Sequence, residues 1–284
     1  MTNKIYEALQ RASSYLQENG REEGAARYLL QDVLNMSHAQ LLSDMREEMP
    51  EEKFQLFWNM VEEHVKGRPI QYIMGHEWFY GRSFQVDESV LIPRPETEEL
   101  VVEALNRIKR LWPERETLKL ADIGTGSGAI AITMKLEAPE LMVLATDISE
   151  AALMTASQNA SNLNADVKFQ QGDLTEPLHG QTWDIVLSNP PYIAYGEAET
   201  LSEVVVDYEP HSALFAEEDG LILYRKLAEQ LPTLMKRPGL IGVEIGYSQG
   251  EAVKSFFERT FPGAKVDIIR DINGKNRMIF CEIE

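Results

Sequence analysis

From residue 118 onward, short apolar runs of strand length alternate with stretches of helical periodicity, and this rhythm limits the possible folds more than any other feature of the chain. Runs that are apolar on both faces need helices on both sides, which predicts an α/β domain built on a parallel sheet. Strands are expected at 118–123, 142–146, 167–170, 183–188 and 240–245, and helices at 128–136, 149–163, 220–230 and 249–258. The ending breaks the pattern. Two runs, 266–269 and 277–283, flank Asn273-Gly274, a pair that favours a tight hairpin, so the sheet should finish with an antiparallel member.

The N-terminal quarter reads differently. Ile5, Leu9 and Ala12, then Ala26, Leu29, Leu30, Val33 and Leu34, then Phe54, Phe57, Trp58, Val61 and Val65 recur at helical spacing. Gly20, Asn35-Met36-Ser37 and Pro50 interrupt them where a small bundle needs turns. Between 75 and 95 the aromatic and β-branched residues Trp78, Phe79, Tyr80, Phe84, Val86, Val90 and Ile92 sit among glycines and polar residues, as in a β-hairpin. Glu96 then opens a helix carrying Leu100, Val101, Ala104, Leu105 and Ile108. The expected division is a helical domain at 1–74, a hairpin linker at 75–95 and the α/β domain at 96–284.

Charge narrows the partners. Lys and Arg number 27 against 46 Asp and Glu, a formal net charge of −19, which opposes nonspecific binding to phosphate backbones. No apolar run approaches the roughly 20 residues that span a bilayer. The single cysteine, Cys281, cannot form an internal disulfide, and the cytoplasm is the expected compartment. Five scattered histidines show no metal-ligand spacing, so no metal is expected.

Two segments carry chemistry. Leu120-Ala121-Asp122-Ile123-Gly124-Thr125-Gly126-Ser127-Gly128 places a glycine-rich turn between a buried strand and a helix, where backbone groups can approach a ligand without Cβ interference. Its G-x-G-x-G spacing is neither the dinucleotide G-x-G-x-x-G nor a phosphate loop ending in Lys-Ser/Thr. Asp147 closes the next strand, where a carboxylate can accept hydrogen bonds from both hydroxyls of a ribose. A nucleoside ligand follows, against the simpler reading of a tight turn alone. Ser149 is expected to cap the following helix, and Asp122 either fixes the loop or meets a ligand's amino group.

The second segment is Asn189-Pro190-Pro191-Tyr192, at the carboxyl end of a buried strand, the edge where open α/β sheets bind ligands. Two prolines remove two N–H donors and leave carbonyl acceptors, and Asn189 adds a side-chain carbonyl. A conjugated NH₂ group can donate both hydrogens to the Asn189 side chain and the Pro190 carbonyl, and Tyr192 can stack over the planar group. Such a nitrogen is a weak nucleophile, so positioning must supply most of the rate. Adenine also offers a conjugated NH₂, which leaves an enzyme acting on adenine N6 of nucleic acid as the alternative, opposed by the charge. A nonenzymatic nucleoside-binding protein is a third reading. Elsewhere, Arg94 fits either substrate orientation or an interdomain ion pair, while Cys281 and the aromatic group 78–80 fit core packing.

These residues resemble the class I S-adenosylmethionine-dependent methyltransferases, a Rossmann-like seven-stranded fold, with 122–128, Asp147 and 189–192 as matching motifs. Pro93-Arg94-Pro95-Glu96-Thr97-Glu98, the run 208–214 and Asp219-Gly220-Leu221 extend the match to the HemK/PrmC family, which methylates the Gly-Gly-Gln glutamine of bacterial class I peptide-chain release factors. The resemblance implies that S-adenosylmethionine lies across Gly124, Thr125, Gly126, Ser127 and Gly128, leaving as S-adenosylhomocysteine. It further implies that Asp147 binds the ribose, that Asp173 and Leu174 adjoin the adenine, and that Asn189 meets both donor and substrate. Asn189, Pro190, Pro191 and Tyr192 are then the catalytic segment, and the helical domain docks the release factor.

Overall fold

The structure, a computed structural model, describes residues 3–114, 117–200 and 203–284. They form two compact units, Met1–His76 with Ser202–Tyr208, and Glu77–Leu201 with Glu209–Glu284.

The first unit is helical: Ile5–Glu18, Ala25–Leu34, His38–Ser43, Glu51–Val65 and Ile70–Met74. Ile5, Ala8, Ala12 and Leu16 share one buried face, which packs with Leu29, Leu30, Phe57 and Val61 in a single core. The interruptions act as their residue types require. Asn35 ends the second helix in the left-handed conformation, and Ser37 caps the third by accepting from Gln40 N–H.

The second unit carries a seven-stranded sheet: β1 Lys119–Ile123, β2 Met142–Asp147, β3 Val167–Gln171, β4 Trp183–Ser188, β5 Met235–Glu244, β6 Lys265–Arg270 and β7 Asn276–Ile283. The order across it is β6-β7-β5-β4-β1-β2-β3, with β7 antiparallel to both neighbours and the other pairings parallel. β5 begins at Met235, five residues before the expected start; its pairing with β4 is irregular between Met235 and Leu240, across Pro238 and Gly239, which read as breakers. Ile123 pairs with both Thr146 and Ser188, so β1, β2 and β4 end level with one another. The chain leaves β1 toward β2 on one side and reaches β4 on the other, which opens a crevice at their carboxyl ends.

The hairpin His76–Phe79 and Arg82–Gln85 turns through Tyr80 and Gly81, both at positive φ. It is no free linker: Phe79 and Phe84 meet edge to face and join the core formed by Leu100, Val101 and Leu120. Trp78, at 63% exposure, stays out of that core. The next helix is Pro95–Leu111, with proline at its first position and Leu100, Val101, Ala104, Leu105 and Ile108 facing inward. The expected helix at 220–230 begins instead at Ile222, because the turn Glu217–Gly220 puts Glu218, Asp219 and Gly220 at positive φ. Between Asn189 and that turn lie elements absent from the expected pattern: Ile193–Ala194 paired with Phe215–Ala216, and the short helices Glu203–Tyr208 and His211–Leu214.

Candidate active site

A cleft of about 430 Å³ opens at the carboxyl ends of β1, β2 and β4, within the second unit. On one wall the glycine loop is tied down by its backbone: the N–H groups of Gly124 and Thr125 both donate to the Thr146 carbonyl. Gly124 and Gly126 have positive φ, and a Cβ on either would meet nothing within 4 Å. Space is kept beside that backbone, as ligand approach requires. Asp147 Oδ2 accepts from Gly126 N–H at 2.9 Å and Oδ1 from Ser149 N–H at 2.9 Å. Each carboxylate oxygen retains lone-pair capacity for a further donor, such as a ribose hydroxyl.

Asp122 resolves to the loop-fixing role. Its Oδ2 accepts from the Thr125 hydroxyl at 2.6 Å and from Ala131 N–H at 3.1 Å, and burial pushes the carboxyl up to about 7. Ser149 caps the helix Glu150–Asn162 by accepting from Ala152 N–H. Gly124, Thr125, Gly126, Ser127, Asp147, Asp173 and Leu174 all line the cleft. Gly128 does not. A Cβ there would stand 2.7 Å from Ile132 Cδ1 and 3.2 Å from Ala156 Cβ, so this glycine permits close packing between helices.

The turn after β4 forms another part of the wall. Ser188 anchors its start by donating to the Ile123 carbonyl at 2.7 Å. Asn189, Pro190 and Pro191 line the cleft, and Asn189 Nδ2 donates to Thr97 Oγ1 at 3.1 Å. Tyr192 lies outside the lining. Its ring packs against the core containing Tyr224 and Ile245, its hydroxyl points at Glu244 Oε1 (3.4 Å), and its carbonyl accepts from Gln249 Nε2 at 2.8 Å. The ring expected to stack over a planar substrate group thus packs against the core behind the turn. Burial and the neighbouring Glu244 raise its hydroxyl pKa, so it holds its proton.

Behind the turn sit Glu244 and Gln249, which no sequence motif singles out, together with the 217–220 turn. Glu244 ends β5 at 1% exposure; burial pushes its carboxyl up to about 7 against the opposing hydrogen bond from Thr97 (2.6 Å). Gln249 also donates to the Asp219 carbonyl, linking the 217–220 turn to Tyr192. Gly220 makes that link possible, since a Cβ there would lie 2.0 Å from the Tyr192 carbonyl oxygen. At the mouth, Arg94 pairs with buried Glu209 at 2.6 Å inside this unit, which replaces the interdomain pair considered from sequence. Phe215 stacks on Tyr195, and His211 meets its edge. Cys281 is buried, as expected of a small hydrophobe.

Two family models match the chain: the PrmC N-terminal domain over residues 7–75 and the methyltransferase small domain over 99–208. The release factor glutamine methyltransferase of Bacillus cereus is 50% identical over 99% of this chain and 100% of its own length. The chain belongs to the release factor glutamine methyltransferase family. The Bacillus subtilis member is 48% identical over 97% of this chain and 96% of its own. A methyltransferase from Pyrococcus furiosus shares the fold at a TM-score of 0.52 and 17% identity, over 72% of this chain and 89% of that one. The sheet order, antiparallel strand and cleft position are those of class I S-adenosylmethionine-dependent methyltransferases, and S-adenosylmethionine is the family's methyl donor. The residues present suit that donor: open glycine backbone, a carboxylate with free lone pairs, and apolar surface from Ile148 and Leu174 for a purine. Among the described residues no acidic, His or Cys cluster could hold a metal ion, and no helix is long and apolar enough to cross a membrane.

Proposed function

We propose that this cleft transfers a methyl group from S-adenosylmethionine to the side-chain amide nitrogen of the glutamine in the Gly-Gly-Gln motif of class I peptide-chain release factors. The observation that carries the reading is Asn189, whose side chain stands in the same cleft as the glycine loop and Asp147, with its NH₂ already engaged by Thr97. The carbonyl end of Asn189 is left for a substrate donor. S-adenosylmethionine supplies, when bound, an electrophilic methyl group on a positively charged sulfur.

The chain's own residues then do three things. Gly124, Thr125, Gly126 and Ser127 seat the donor by backbone contact, and Asp147 accepts from its ribose. Asp173 and Leu174 border the adenine. Asn189 Oδ1 and the Pro190 carbonyl accept the two N–H bonds of the glutamine amide, and Pro191 keeps the turn rigid. Two acceptors on one nitrogen favour its pyramidal form over the planar amide, so the grip tightens toward the transition state. Orientation supplies most of the rate. No base is required, because the nitrogen becomes strongly acidic once alkylated.

The helical domain expected at 1–74 is assigned to docking the release factor, and Tyr28, Leu42 and Leu56 are exposed there for such a contact. The reaction belongs to the cytoplasm, where the translation machinery works.

Incubation of the protein with labelled S-adenosylmethionine and either a class I release factor or duplex DNA tests the assignment. One methyl on the Gly-Gly-Gln peptide, by mass spectrometry, is expected, with none on DNA. Asn189→Ala should lose turnover by roughly 100-fold or more while still binding the donor, as expected when a group acting mainly in the transition state is removed. Wild-type turnover by that variant would remove Asn189 from the mechanism.

A further inference from the structure

We infer that Thr97 and Glu244 are positioning residues that decide which end of the Asn189 carboxamide faces the substrate. The inference rests on the reading that Asn189 grips the substrate amide and extends it to two residues outside the 189–192 segment. A carboxamide can turn over with almost no change of shape, exchanging an acceptor for a donor. Only the acceptor end can hold the substrate NH₂. Something must choose.

Thr97 makes the choice. It sits on the first turn of the helix Pro95–Leu111 at 5% exposure, and its hydroxyl donates to Glu244 Oε2 at 2.6 Å. A hydroxyl has one hydrogen and two lone pairs. With that hydrogen directed at Glu244 Oε2, which still accepts when the carboxyl carries its proton on Oε1, the side facing Asn189 is acceptor only. The carboxamide therefore presents Nδ2 to Thr97, at 3.1 Å, and its carbonyl oxygen is left for the substrate.

Glu244 fixes the sense of the relay from behind, where it is 1% exposed and outside the cleft lining. The Tyr224 hydroxyl donates to its backbone carbonyl at 2.7 Å, and the Tyr192 hydroxyl approaches its other carboxylate oxygen. Charged neighbours include Arg277 and Glu96. A threonine without that carboxylate would be free to donate toward Asn189, which would then present NH₂ to the substrate NH₂. Two donors would face each other and the substrate hydrogen bond would be lost.

Four variants test the relay on the full-length protein, each assayed for release-factor methylation, S-adenosylmethionine affinity and melting temperature. Thr97→Val keeps the shape and removes the hydroxyl; its turnover should fall by roughly 10- to 100-fold, the range for losing one well-placed hydrogen bond. Donor affinity should be unchanged, and Thr97→Ser should restore most of the turnover. Glu244→Leu should resemble Thr97→Val, and the double variant should be no worse than the more damaged single, as for groups acting in one chain. Should Glu244→Leu fail to fold, the Thr97→Val and Thr97→Ser pair decides alone. Wild-type turnover in Thr97→Val beside an inactive Asn189→Ala overturns the relay and spares the reading of Asn189. Equal losses in Thr97→Val and Thr97→Ser likewise overturn it. Wild-type turnover in Asn189→Ala removes both.

Discussion

The glycine loop and the Asn189 turn line one cleft, yet they are held in place in different ways. The loop is ordered by near neighbours: Thr125 bonds to Asp122 three residues away, and Gly126 to Asp147 in the adjoining strand. The turn is braced from afar, with Thr97 92 positions from Asn189, and Glu244 and Gln249 52 and 57 positions from Tyr192. A donor seat that only has to leave room for backbone contact can be built locally. An amide grip needs a side chain fixed in orientation, and that takes support from several elements packed behind it.

Gly220→Ala attacks the brace and should have the largest effect. The new methyl would meet the Tyr192 carbonyl oxygen at 2.0 Å and Gln249 Nε2 at 2.5 Å, at a φ of +79°. Left-handed strain and overpacking together should cost about 2–5 kcal/mol of stability by chemical denaturation. Displacing the turn should lower turnover by roughly 100-fold, since misplacement of about 1 Å can cost that much. A variant with normal turnover would mean that the 217–220 turn does not position Asn189.

Asp147→Ala attacks the seat. Loss of charged hydrogen bonds to the ribose should weaken S-adenosylmethionine binding by about 10- to 100-fold in calorimetry, through about 1.5–3 kcal/mol. Turnover at saturating donor should change much less, which separates seat from grip. Gly126→Ala is the milder counterpart of Gly220→Ala: its φ of +54° carries strain, but its Cβ meets no protein atom within 4 Å. Its stability should fall by only about 1–2 kcal/mol, with the loss of function confined to donor affinity. Similar destabilisation by the two glycine variants would erase the proposed distinction between open and filled sides.

The same distinction explains what the sequence revealed. Alternating apolar runs report strands and helices directly, and the loop's glycines and Asp147 lie at strand ends, where the sheet itself brings them together. The 189–192 segment was visible because its chemistry is contiguous. The resemblance assigns Gly128 to the ligand, yet its open α-carbon is turned to Ala156, and it assigns Tyr192, whose ring packs against the core behind the turn, to the catalytic segment. Glu244 and Gln249 lie outside every motif, and Thr97 falls within the family-matching run 93–98 without a role of its own. A glutamate ending an apolar strand, such as Glu244 after Val243, is the one clue, since a carboxylate there is buried and must find donors.

Buried acids beside the loop and behind the turn also yield an effect of a different kind, a change of slope with pH. Burial pushes Asp122 on the loop side and Glu244 on the turn side each up to about 7. In the unfolded chain both ionise near pH 4, so between about pH 4 and 7 the folded state holds protons that the unfolded state has released. Stability from these groups is therefore full at the acid end, falls as pH rises and levels off above about 7. Asp122→Asn removes one such proton. The stability of the wild type relative to Asp122→Asn should decline with pH across that window, by at most about 1.4 kcal/mol per unit, the limit for a single proton. Denaturant melts at four pH values measure it. A difference that does not change with pH would mean that Asp122 ionises like an exposed carboxylate, and that the loop is held by a charged acid throughout that window.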